Sequence, residues 1–232
     1  MFNLEGFGPL LFQGTLITIQ LSLAALSLGL VLGLLGATMK LSRFRLLRML
    51  AGTYTAVIRG VPELIVILFI YYGGVILLNN LAHGLGYKGY IDVSGFTAGV
   101  IALSLTFGAY ATEIFRGGIA AVPCNQIEAA RAIGMAPTTI FRRILLPQVW
   151  RFALPGLGNV FLVIIKETAL VSVIGLDELM RKTDIAVGYT KKPFTFYLFA
   201  ACIYMVITAI TMQMQRQLER RANRGVAGRA GA

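Results

Sequence analysis

The chain has 232 residues, of which 57% are hydrophobic and only 13% are charged, and its mean hydropathy is strongly positive. A water-soluble fold cannot bury so large an apolar fraction, so the composition excludes an ordinary soluble domain and indicates an integral membrane protein. The net charge of +11 does not indicate nucleic acid binding, because the basic residues are dispersed among hydrophobic runs.

Five apolar runs are long enough to cross the hydrocarbon core, which takes roughly 20 helical residues. The first run is longer than the apolar part of a secretion signal and no Lys or Arg precedes it, so we expect it to be retained. The second is interrupted by RGVPE, where Pro62 removes a backbone donor and predicts a kink. The predicted spans are residues 14–39, 49–78, 93–112, 154–174 and 194–214.

The loops between these spans differ in their content of basic residues. Most of the 21 Lys and Arg residues fall in residues 40–48, in the loop between the third and fourth spans, and near the C-terminus. Basic loops remain preferentially in the cytoplasm. The sequence therefore predicts a periplasmic N-terminus and a cytoplasmic C-terminus.

A polar segment, EAARAIGMAPTTIFRRILLP, occupies residues 128–147 in one of the predicted cytoplasmic loops. Alanines over residues 127–133 predict a short helix, and Gly134 can adopt the left-handed conformation that ends it. Pro137 fits the first turn of a second helix, and Pro147 is expected to stop that helix. We therefore predict two short helices joined at Gly134.

This segment resembles the EAA loop found in permease subunits of bacterial ABC importers. The resemblance rests on Glu128, Ala129, Ala130, Gly134 and Pro147 at the family's spacing. It implies a coupling helix that docks on an ATPase subunit, with Glu128 in contact, the two alanines allowing close approach, and Gly134 setting the turn. The segments VIRGVPELIVILFIYYG, GAYATEIFRGGIAAVP and IKETALVSVIGLDEL are similar to those of permeases for polar and basic amino acids.

The resemblance implies an all-α membrane protein of the type I ABC importer permease fold in the bacterial inner membrane. A single permease domain is expected over residues 1–222, with a coupling loop at 123–150 and a flexible basic tail at 223–232. The implied partners are a second permease subunit, identical or similar, two ATPase subunits, and a periplasmic or lipid-anchored amino-acid binding protein, besides membrane lipid. We expect no nucleic acid partner.

The sequence contains no phosphate-binding GxxxxGK[ST] motif, so this chain is not expected to be an enzyme. The resemblance implies that ATP and Mg²⁺ bind a partner ATPase and that this chain carries no cofactor or metal. The alternative is a self-sufficient secondary amino-acid transporter that uses buried carboxylates as an ion relay.

Ionisable residues within the predicted spans are costly in a bilayer and need an explanation. We expect Glu63 near the middle of the second span, and Lys166 with Glu167 near the middle of the fourth, where transporters hold substrate. Arg59 lies four residues before Glu63, a spacing that allows an ion pair on a helix. We therefore regard these four residues either as substrate-path candidates for a cationic amino acid or as structural ion pairs.

Overall fold

The computed structural model describes residues 4–223, and this part of the chain is helical without strands. Among these residues, five helical segments are long and apolar enough to cross a membrane, as the sequence predicts. They are Gly8–Lys40, Glu63–Gly84, Gly95–Ala120, Pro137–Ile174 and Pro193–Ala222. The predicted tail, residues 223–232, lies outside the described residues except for Asn223.

Several of these segments consist of consecutive helices with different hydrogen bonding. The α-helices are α1 (Gly8–Lys40), α2 (Arg45–Gly60), α3 (Glu63–Leu68), α4 (Gly74–Gly84), α5 (Gly95–Ala120), α6 (Cys124–Ala132), α7 (Pro137–Ile140), α8 (Leu146–Glu167), α9 (Leu179–Thr190) and α10 (Pro193–Ala222). A π-helix at Phe69–Gly73 joins α3 to α4, and another at Phe141–Leu145 joins α7 to α8. A 3₁₀-helix, Thr168–Ile174, extends α8.

The second predicted span requires a correction. Instead of one kinked helix over 49–78, the chain leaves the helical conformation at Val61 and Pro62, whose ψ angles are both 137°. Proline disfavours the α conformation in the residue before it, which explains the break. The membrane-length helix begins at Glu63, so this residue lies at the start of the span and not at its middle.

The helix expected to stop at Pro147 continues through that position, so this prediction was wrong. Pro147 lies in the first turn of α8, directly after the π-helix in which the Leu146 N–H donates to the Phe141 carbonyl. Where the hydrogen bonding changes from π- to α-type, residue 147 does not need to donate a backbone N–H. Proline is therefore tolerated at this position. The result is a continuous helical rod over Pro137–Ile174.

Close packing of α1 against α5 forms the centre of the protein. Gly29, Gly33 and Gly36 lie on the face of α1 that meets α5, and a Cβ at Gly29 would lie only 2.7 Å from Phe107 Cδ1. Within a bilayer the hydrophobic effect does not drive helices together, so their association depends on van der Waals packing. Small residues allow the close approach that this packing needs. The fully buried side chains of Phe107 and Leu103 show that α5 is surrounded by the other helices.

Candidate functional site

The turn after α6 has the conformation that the sequence predicts. Gly134 has a φ of +77°, in the left-handed region. Its N–H donates to the Arg131 carbonyl at 3.0 Å, and the Met135 N–H donates to the Ala130 carbonyl at 3.1 Å. These two bonds form a Schellman motif, which satisfies carbonyls left free at the helix end.

The two alanines of the loop lie on different sides of α6. Ala129 and Glu128 are exposed, whereas Ala130 is only 4% exposed and packs inward. Only Ala129 therefore belongs to the surface that α6 presents beside Glu128. Within residues 4–223, the Glu128 carboxylate is bonded to no other side chain, so it is available to a partner.

Two contacts anchor this loop to the rest of the protein. The Gln148 side chain of α8 donates to Gln126 Oε1 of α6 at 2.7 Å. Ile140 of α7 is buried, with 5% exposure, whereas the next residue, Phe141, is 54% exposed. The loop is thus attached directly to α8, which begins at Leu146 and ends at Glu167.

Two of the four charged candidates come together within the membrane. Glu63 begins α3, and α3 packs against the 3₁₀-helix that follows Glu167. The two carboxylates lie within electrostatic range and repel each other, an effect that Lys166 partly offsets. Glu167 Oε2 is buried and accepts no hydrogen bond from residues 4–223. This pair forms an acidic site at the junction of the second and fourth spans.

The other two candidates do not form the expected ion pairs. No ion pair joins Arg59 to Glu63 or Lys166 to Glu167 in the described part of the chain. The break at Pro62 separates Arg59 from Glu63, and the Arg59 guanidinium instead lies over the Tyr110 ring, 5.1 Å from its centroid. The alternative that these residues form structural ion pairs therefore has no support for Arg59 with Glu63 or for Lys166 with Glu167. The Lys166 side chain is exposed.

A charged network that the sequence did not predict connects α1, α2 and α5. The Lys40 ammonium pairs with Glu113 and also donates to Thr55 Oγ1 at 2.6 Å. The Arg116 guanidinium donates to the other Glu113 oxygen at 2.9 Å. The i, i+3 spacing of Glu113 and Arg116 was visible in the sequence, but Lys40 is distant along the chain and gave no signal.

A second unpredicted carboxylate, Glu178, is fully buried at the start of α9. It accepts hydrogen bonds from the Arg181 N–H at 2.9 Å, the Tyr204 hydroxyl at 3.2 Å and the Thr18 hydroxyl at 3.4 Å. Burial raises the pKa of the Glu178 carboxyl, although these donors favour the charged form. Glu178 therefore joins α1, α9 and α10, and no sequence signal pointed to it, because glutamate is not among the preferred N-cap residues.

Comparison with known proteins gives the family. Residues 29–224 match the family model described as the inner membrane component of a binding-protein-dependent transport system. The chain is 46% identical to the nopaline transport system permease protein of Agrobacterium fabrum, over 95% of this chain and 94% of the relative. It is 43% identical to the histidine/lysine/arginine/ornithine transport system permease protein of Escherichia coli, over 96% and 97% respectively.

A solved structure agrees with these relatives. A chain from the crystal structure of an amino acid ABC transporter with histidines superposes with a TM-score of 0.78 and 38% identity. The match covers 92% of this chain and 94% of the other. The chain therefore belongs to the family of inner membrane components of binding-protein-dependent transport systems, as a multi-pass protein of the bacterial inner membrane.

Proposed function

We propose that the chain is the permease subunit of an ATP-driven importer of amino acids, with a preference for basic ones. The observation that carries this proposal is the exposed Glu128 on α6, followed by the left-handed turn at Gly134, in a chain of this family. The relative from Escherichia coli, a histidine/lysine/arginine/ornithine transport system permease protein, supports the substrate class. They do not favour the alternative of a self-sufficient secondary transporter.

The energy for transport comes from a separate chain in this proposal. Two ATPase subunits bind ATP and Mg²⁺, and α6 docks on one of them through Glu128 and Ala129. A second permease subunit completes the path, because five spanning helices are too few to enclose it, and a binding protein delivers the substrate. The loop then faces the cytoplasm, which agrees with the basic residues near it.

Movement of the loop would be transmitted through one continuous helical rod. The Gln126–Gln148 hydrogen bond joins α6 to this rod, which extends over Pro137–Ile174. At 1.5 Å per residue, the part from Gln148 to Glu167 spans about 28 Å. A displacement of the docked loop therefore reaches Glu167 by rigid-body motion, as alternating access requires.

The acidic site at Glu63 and Glu167 suits a cationic amino acid. A buried carboxylate oxygen without a hydrogen bond is unfavourable, and a second carboxylate nearby adds repulsion. An ammonium or guanidinium group from the substrate relieves both effects. Lys166 is the candidate partner for the substrate carboxylate. Arg59, whose guanidinium lies over the Tyr110 ring, is in the last turn of α2, four residues before Glu63 in the sequence.

The coupling part of this proposal is tested with Glu128→Ala in the assembled transporter. We expect the variant to insert normally but to lose ATPase association or substrate-stimulated ATP hydrolysis. Arg131→Ala, an exposed change on the same helix, is the control and should retain most coupling. Uptake by purified permease without ATPase subunits would contradict the ATP-driven function.

The substrate part is tested by uptake assays on Glu63→Gln and Glu167→Gln. Each should weaken arginine and lysine uptake more than histidine uptake at neutral pH, since the first two are fully cationic. Glu219→Gln, near the end of α10, is the control. Unchanged affinity and selectivity in both variants would remove the acidic site from the substrate path.

A further inference from the structure

An apolar groove of about 420 Å³ opens between α1, α8 and α10, and we refer to it as the α1–α8–α10 groove. Its lining on α8 extends from Trp150 to Ile165, a rise of about 22 Å for an α-helix. One leaflet of the hydrocarbon core is roughly 15 Å thick. The groove is therefore long enough to accept an extended chain from one leaflet. Its walls include Ile19, Leu26, Trp150, Leu157, Ile210 and Leu218.

The groove offers almost no hydrogen-bonding group to an occupant. The Ser22 hydroxyl donates to the Ile19 carbonyl at 2.9 Å, and the Thr211 hydroxyl donates to the Ile207 carbonyl at 2.9 Å. The Gln215 amide donates to Glu219 Oε1 at 2.8 Å. Because these polar groups are satisfied within the protein, the occupant must be apolar along the length of the groove.

The groove faces away from the acidic site. Ile165 lines the groove, and Glu167 follows it by two residues, which is about 200° around an α-helix. The side of α8 that carries Glu167 is therefore roughly opposite the groove. Since the spans cross the membrane, a side of the bundle remote from the acidic site meets lipid.

Two arginines lie at the end of the groove near the coupling loop. Arg221 is three residues after Leu218 and seven after Met214, so it continues the groove-lining face of α10. Arg151 follows Trp150 on α8, and its guanidinium lies over the Phe152 ring, 5.0 Å from the centroid, so it meets the groove by a change of rotamer. Within residues 4–223, neither guanidinium pairs with a carboxylate. This end of the groove is therefore positively charged.

We propose that the α1–α8–α10 groove binds an acyl chain of an anionic phospholipid, whose phosphate draws the Arg151 guanidinium away from Phe152 and is held between Arg151 and Arg221. The groove supplies an apolar channel of leaflet depth, and the arginines supply the charge that distinguishes an anionic from a zwitterionic head group. Trp150 is 43% exposed at this end of the groove, and tryptophan is enriched where helices meet the membrane surface.

The sole tryptophan of the chain, Trp150, reports directly on occupancy. The full chain is reconstituted in phosphatidylcholine vesicles that contain increasing fractions of phosphatidylglycerol brominated on its acyl chains, and fluorescence quenching is recorded. We expect saturation at a lower lipid fraction than with brominated phosphatidylcholine. Arg151→Gln and Arg221→Gln should each raise the half-saturating fraction of phosphatidylglycerol about fivefold.

Matched variants separate the groove from general lipid contact. Arg220→Gln removes the neighbouring charge from the opposite side of α10 and should leave the half-saturating fraction unchanged. Ile210→Phe fills the groove and should reduce quenching, whereas Met212→Phe, two residues away on another side of α10, should not.

Two results would overturn the proposal. One is equal quenching by the two brominated lipids with no effect of Arg151→Gln, Arg221→Gln or Ile210→Phe, which would mean that Trp150 contacts only bulk lipid. The other is loss of quenching when the partner permease is added, which would make the groove a subunit interface.

Discussion

Replacing Gly134 by alanine isolates the contribution of backbone conformation to the coupling loop. The residue has a φ of +77°, and a Cβ added there would meet no atom within 4 Å. Steric contact is therefore not affected, and only the left-handed conformation is penalised, by about 1–2 kcal/mol. That energy corresponds to an equilibrium shifted about 5- to 30-fold away from the native turn.

The assay is substrate-stimulated ATP hydrolysis by the transporter assembled in vesicles with its ATPase subunits and binding protein. We expect Gly134→Ala to lower the coupled rate by up to that factor. Gly134→Asn should lower it less, because asparagine adopts the left-handed region more readily. Gly134→Pro should abolish coupling, since proline fixes φ near −65°.

A matched control is available in Gly117, which lies within α5 and also has no atom within 4 Å of an added Cβ. Gly117→Ala should keep full coupling and slightly raise thermal stability, because alanine is the better helix former. Equal coupled rates for wild type, Gly134→Ala and Gly134→Pro, with the subunits still assembled, would refute the role of the turn.

Packing and charge outside the loop give three further expectations, each measured as thermal unfolding in detergent. Gly33→Leu forces a side chain into Ala111 and should cost about 1–3 kcal/mol; an unchanged midpoint would contradict the close approach of α1 and α5. Lys40→Met deprives Glu113 of a partner and should cost about 1–3 kcal/mol, and adding Glu113→Gln should recover part of it; fully additive losses would argue against the pair. Because burial raises the pKa of Glu178, its protonated form favours folding, so stability should fall as pH rises above about 4.3 through the folded pKa, and Glu178→Gln should flatten this part of the profile. A profile that keeps its slope after that substitution would count against the assignment.

Features that depend on neighbouring residues could be predicted from the sequence. The apolar runs gave five membrane-length helices, and the alanine-rich segment followed by Gly134 gave a helix with a left-handed end. Hydropathy and dihedral preference are properties of a short segment, so they need no knowledge of the fold. Pro147 was one exception, because the π-helix before it supplies a context in which proline continues a helix.

Features that depend on contacts between distant segments required the tertiary structure. The pairing of Lys40 with Glu113, the approach of Glu63 to Glu167 and the burial of Ala130 follow from how the helices lie against one another. The sequence by itself determined that this chain crosses the membrane and that a short helix after the third span ends in a left-handed turn at Gly134. Only the packed bundle decided which charges meet, because the distance between two side chains on different helices is set by helix packing and not by their positions along the chain.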